Sequence, residues 1–151
     1  MDSELLVIGY GNTLRRDDGV GPRVAETIEA LGLAGVKALA RPLLTPELAD
    51  PVSKAGAVVF VDASAKSPPE PVRMRRLEPA DSSQMLTHAA DPRTLLALAR
   101  DAFGRAPDAW WLTVPAEELG IGDQLSASGL LGMKRAVKAL RDFHRRHRGG
   151  S

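Results

Sequence analysis

The chain predicts an α/β domain built on a mainly parallel sheet, and two observations carry that prediction. Apolar runs of strand length alternate with segments of helical period along the whole sequence. The clearest of these runs are continuously apolar rather than alternating, as strands covered on both faces must be. The 151 residues suit one domain, residues 1–151, and no internal repeat or interdomain linker divides them.

Leu5 to Ile8 is the first strand, and Gly9-Tyr10-Gly11 supplies the turn that follows it. Val20, Val24, Ile28 and Leu31 then recur at helical spacing, and Gly32 closes that helix. Val36 to Arg41 is a second strand. Thr45-Pro46-Glu47 opens a helix with Thr45 as cap, and Asp50-Pro51 makes that helix short or kinked. Ala57 to Asp62 is a central strand of five apolar residues ending on a carboxylate. A loop rich in Ser, Lys and Pro leads to an edge strand, Val72 to Leu77, whose three arginines discourage pairing with other chains.

Residues 78–90 have no clean period. Asp91-Pro92 caps the next helix, buried through Leu95, Leu96, Leu98, Ala99, Ala102 and Phe103 and stopped at Gly104. Ala109 to Val114 is the last strand and Pro115 to Leu125 a loop. Ser126 or Ser128 then opens a final helix running to about His144. Residues 145–151 form a basic tail expected to fray.

Composition excludes several classes of function. With no cysteine there is no disulfide framework, thiolate nucleophile, Cys-based zinc finger or Cys-ligated iron–sulfur cluster. The acidic start Met1-Asp2-Ser3-Glu4 and the short apolar run after it do not make a secretory signal, and no stretch approaches the ~20 apolar residues of a membrane span. A cytoplasmic protein is expected. The net charge of +1 conceals an asymmetry, with seven basic residues and one acid in 134–151 against thirteen basic and eighteen acidic residues before them. The tail has no aromatic stacking platform, and cations late in a helix complement its dipole, so no nucleic-acid partner is expected. Trp110 and Trp111 occupy opposite faces of one strand, one in the core and one available to a partner.

Three polar features fall at the carboxyl ends of predicted strands, where parallel sheets bind their ligands. They are the loop from Gly9 to Gly21, Asp62, and His88 just before a helix. Singly, each has an ordinary structural use: Asp17 or Asp18 as a helix cap, Asp62 as a hydrogen-bond acceptor, His88 as a half-buried side chain. Together, Asp18, Asp62 and His88 make two carboxylates and an imidazole facing one crevice, a three-ligand set with open positions for a divalent transition metal. Dinucleotide binding fits poorly. Leu14 stands where a third glycine belongs, no acid ends the second strand, and Asp17 and Asp18 occupy the place of a pyrophosphate.

The stretch Val7-Ile8-Gly9-Tyr10-Gly11-Asn12-Thr13-Leu14-Arg15-Arg16-Asp17-Asp18-Gly19-Val20-Gly21 resembles the N-terminal signature of the hydrogenase maturation proteases. The same order continues in Leu44-Thr45-Pro46-Glu47, Val58-Val59-Phe60-Val61-Asp62 and Thr87-His88. The resemblance implies a three-layer sandwich, a twisted, mostly parallel sheet with helices on both faces. It implies an endopeptidase that recognises nickel in a hydrogenase large-subunit precursor and removes its C-terminal peptide. Asp18, Asp62 and His88 match the family's catalytic and metal-holding positions, with Gly11, Asn12 and Asp17 shaping the first loop. Asp17 is expected to cap the helix or orient Asp18. Oxygen and nitrogen ligands alone hold nickel weakly, so the metal, or a divalent surrogate, is expected to arrive on the thiolates of the substrate. The alternatives from other classes are a metal- or protein-binding module without catalysis and a nucleotide-binding domain.

Overall fold

The computed structural model describes residues 4–81 and 91–149. Strand β1 (Leu5–Tyr10) leads through a short 3-10 turn (Arg16–Gly19) into helix α1 (Val20–Leu31) and strand β2 (Val36–Arg41). A second 3-10 turn (Pro46–Leu48) precedes helix α2 (Ala49–Lys54), followed by strands β3 (Ala57–Ser64) and β4 (Arg73–Leu77). Helix α3 (Pro92–Phe103), strand β5 (Asp108–Pro115) and helix α4 (Ala127–Gly149) complete the order.

The sheet runs β2-β1-β3-β5-β4. All neighbours are parallel except β4, which pairs antiparallel with β5 at the edge. Alternation of side chains across the strands divides the core into two layers. Leu5, Val7, Val59, Val61, Leu112 and Val114 face α1 and α4, meeting Val24, Ile28, Ala136, Leu140 and Phe143. Leu6, Ile8, Val58, Phe60 and Ala109 face α2 and α3, meeting Val52, Leu95, Leu96 and Ala99. The chain is thus the expected three-layer α/β sandwich.

Backbone proximity explains the glycines around the first turn. A Cβ on Gly9 would strike the Gly21 carbonyl, and one on Gly21 would strike the carbonyls of Val61 and Tyr10. Helix α1 therefore begins directly on the backbones of β1 and β3. The chain leaves β1 toward β2 on one side and returns to β3 on the other. The carboxyl ends of β1 and β3 are consequently the topological switch point, the usual ligand crevice of an open α/β sheet.

Local expectations fare unevenly. Asp91 caps α3 by accepting the Arg93 N–H at 2.8 Å, with Pro92 at the first helical position and left-handed Gly104 as its stop. Neither Asp17 nor Asp18 caps α1; its cap residue is Gly19, with no side-chain bond. Thr45 is extended but makes no capping bond, and its helix starts as a 3-10 turn before the six-residue α2. Ala102 and Phe103 are exposed rather than buried, the buried stripe of α3 ending at Ala99. Helix α4 continues to Gly149, five residues past the expected end at His144. His144 anchors this stretch: it is buried, and its Nε2 lies 2.8 Å from the Ala34 carbonyl oxygen. No helix among the described residues is long and apolar enough to cross a membrane.

Candidate functional site

The loop between β1 and α1 folds back over the switch point. Gly11 has φ +149°, in the range that favours glycine, and a Cβ there would collide with the Asp18 carbonyl. Its N–H donates to the Arg41 carbonyl at 3.2 Å, tying the loop to the end of β2. The Asn12 side-chain oxygen accepts the Leu14 N–H at 2.9 Å, an Asx turn that reverses the chain. The Asn12 N–H donates to Asp18 Oδ2, also at 2.9 Å. Asn12 thus orients the Asp18 carboxylate through its backbone and shapes the loop through its side chain.

Asp17 points the other way. It is fully buried, and its carboxylate accepts the Ser126 N–H at 2.8 Å and the Ser126 hydroxyl at 2.7 Å. The N–H groups of Glu118 and Glu117 donate to it at 3.1 and 3.3 Å. Burial raises its proton affinity, but these four donors outweigh it and hold the carboxyl below the usual range. Ser126 meanwhile accepts the Gly129 N–H at 3.0 Å, capping α4. The sequence expectation that Asp17 caps α1 is therefore not met; instead it bolts the first loop to the one after β5. Its two oxygens are occupied by protein donors.

Asp62, near the end of β3, is half-buried at the crevice. The Tyr10 hydroxyl donates to its Oδ2 at 3.0 Å. Burial pushes the Asp62 carboxyl up to about 6; the hydrogen bonds from Tyr10 and the Ala63 backbone oppose this, and the charges of Asp18 and Asp91 add to it. Buried against the same carboxylate, the Tyr10 hydroxyl is held well above its ordinary range. Two of the expected residues, Asp18 and Asp62, therefore lie within reach of each other's charge, as does Asp91. His88 lies outside the described residues, and among those described no three His, Asp or Glu side chains gather closely enough to hold an ion.

This architecture is found in solved structures. HybD, the hydrogenase maturating endopeptidase from E. coli, is 21% identical, with a TM-score of 0.73 over 95% of this chain and 93% of that one. A [NiFe] hydrogenase maturation protease, HycI from Thermococcus kodakarensis KOD1, is 20% identical, with a TM-score of 0.70 over 93% and 91%. The hydrogenase 2 maturation peptidase from Thaumarchaeota archaeon SCGC_AB-539-E09 is 23% identical, with a TM-score of 0.66 over 92% and 96%. The chain has the hydrogenase maturation protease fold. No family model matches the sequence, and no curated protein matches it either.

Within the maturation protease fold, three features of this chain are not evident from sequence alone. Tyr10 sits between two turn glycines, where an aromatic ring reads as loop filler, yet it is the direct partner of Asp62. Asp91 is recognisable as a cap but not as a charge near Asp62, because that proximity comes from α3 packing beside α2. The bolt from Asp17 to Ser126 spans 109 positions and leaves no local signal.

Proposed function

We propose that this chain is an endopeptidase of hydrogenase maturation, working in the cytoplasm to remove the C-terminal peptide of a nickel-loaded large-subunit precursor. The observation that carries the reading is the meeting of Asp18 and Asp62 at the switch point of a maturation protease fold. Two nearby carboxylates, one with its proton affinity raised toward neutrality, form an oxygen-donor site for a divalent cation; His88 would complete it with an imidazole. Such a hard, thiolate-free donor set suits a metal that arrives on the substrate. A divalent ion there would supply Lewis acidity, polarising a carbonyl or acidifying a water. On the protein side, Tyr10 fixes Asp62 through Oδ2, Asn12 fixes Asp18, and Asp62 exchanges a proton near neutral pH.

The test is incubation with nickel-loaded large-subunit precursors from the same genome, followed by intact-mass spectrometry. Release of a C-terminal peptide is expected. Asp62→Asn and Asp18→Asn should each slow release by about 100-fold or more while remaining folded. Precursors that all stay intact would sink the peptidase reading, as would full activity in both variants.

A further inference from the structure

Among the described residues the three most exposed large apolar side chains are Ile121, Leu14 and Leu43, at 97, 66 and 53%. Single surface hydrophobics need no explanation. These three share a place: Leu43 follows β2, Leu14 follows β1 and Ile121 follows β5, each on the loop that leaves a strand at its carboxyl end. In the sheet order β2-β1-β3-β5-β4, the strands β1 and β5 flank β3, near whose carboxyl end Asp62 sits. The loops are also tied to the site by hydrogen bonds. The Leu14 N–H donates to the Asn12 side chain, and the Asn12 N–H donates to Asp18, so Leu14 stands two hydrogen bonds from that carboxylate. Leu43 is two residues past Arg41, whose carbonyl accepts the Gly11 N–H of the same first loop.

Two of the three are fixed beside each other. Arg15 and Gly122 form a parallel bridge, in which the Gly122 N–H donates to the Leu14 carbonyl and the Arg16 N–H to the Gly122 carbonyl, both at 2.9 Å. Its register sets Leu14 next to Ile121. The Asp17 N–H donates to the Glu118 carbonyl at 2.9 Å, and the Asp17 carboxylate holds the Glu118 and Ser126 amides, so the backbone beneath the pair is pinned on both sides. Aliphatic side chains held in water on a pinned backbone gain free energy only when another apolar surface covers them. A stable dimer buries about 800 Å² on each partner, more than three aliphatic side chains supply, so the patch suits a partner that docks and leaves, as a protein substrate must. We propose that Ile121, Leu14 and Leu43 form a docking rim for apolar side chains of the substrate protein, next to the segment presented to Asp18 and Asp62. This rests on the peptidase reading and names how its substrate is recognised.

The experiment separates docking from cleavage. The slow Asp62→Asn chain is titrated calorimetrically with the nickel-loaded large-subunit precursor. Adding Ile121→Ser or Leu14→Ser to it should weaken binding roughly tenfold each, the scale of one aliphatic side chain taken from water, and adding both should weaken it further. With Asp62 intact, Ile121→Ser should raise KM by a similar factor and leave kcat unchanged, as loss of binding common to substrate and transition state does. Leu31→Ser is the control: this exposed leucine ends α1, twelve residues from the loop, and its loss should change neither quantity. Unchanged affinity and KM in folded Ile121→Ser and Leu14→Ser proteins would overturn the rim, as would an equal loss in Leu31→Ser or a precursor that binds none of these chains. A wild-type dimer in sedimentation velocity that Ile121→Ser dissociates would also overturn it, by giving the patch to a second copy. Binding that needs Ile121 without any peptide release would sink the peptidase reading and leave the rim standing; peptide release indifferent to Ile121 and Leu14 would do the reverse.

Discussion

Asp62 and Asp17 show how one residue type takes opposite roles from its surroundings. Asp62 is raised to about 6 because burial and the nearby Asp18 and Asp91 charges outweigh its hydrogen bonds from Tyr10 and the backbone. A folded-state value above the unfolded one means the fold tolerates the protonated acid better. The resulting penalty is absent below about pH 4 and grows as pH rises through about 6. Asp62→Asn should therefore stabilise the chain at pH 7 by up to about 2–3 kcal/mol, a gain that fades at pH 4. Urea unfolding at the two pH values checks this, and a gain equal at both would contradict it. Asp17 is depressed, so its contribution is present above the unfolded carboxylate range and lost as pH falls through its folded value. Asp17→Asn should cost about 3 kcal/mol at pH 7, since an amide would set N–H groups against the Ser126, Glu117 and Glu118 donors. Retention of wild-type stability by that variant would remove the bolt from the account.

Helix α1 can start where it does only because two glycine backbones meet beneath it. Gly21→Ala would push a methyl group into the carbonyls of Val61 and Tyr10, leaving α1 to lift or the strands to part. The expected loss is about 3 kcal/mol or more, with Asp18 displaced from Asp62; thermal unfolding measures the first effect and the cleavage assay the second. A Gly21→Ala protein as stable as wild type would mean that the helix sits farther from the sheet than described. At this scale the sequence is informative wherever the signal is local. The continuous apolar runs mark β1 and β3, and the Asp91-Pro92 pair with Gly104 marks both ends of α3. It misleads where tertiary contacts decide: Asp17 and Asp18 look like caps for α1 but are drawn to Ser126 and to the Asn12 amide. The extension of α4 past His144 likewise depends on contacts with Ala34, Trp110 and Phe143.

Across the molecule, β3 is paired on both sides and covered by both helical layers, whereas β2 and β4 each have one edge unpaired among the described residues. Amide exchange should accordingly be slowest in Val58 to Val61 and faster by orders of magnitude in the outward-facing amides of β2 and β4. Phe60, fully buried at the centre, should cost about 3–5 kcal/mol when replaced by alanine. Uniform exchange across the five strands would argue against a core centred on β3.

The sequence by itself determines the α/β class, because strand-length apolar runs and helical periods are imposed by burial on two faces or one. It also places Asp62 at the sheet's carboxyl edge, since a carboxylate terminating an apolar run has to emerge there, and Asp18 in the loop that leaves β1 at the same edge. Tertiary structure alone decides that Asp17 turns away from α1 to the Ser126 N–H and hydroxyl. It also brings the Tyr10 hydroxyl to Asp62. These outcomes depend on which backbone donors and rings arrive from elements 50 to 100 positions away, and no local pattern records that.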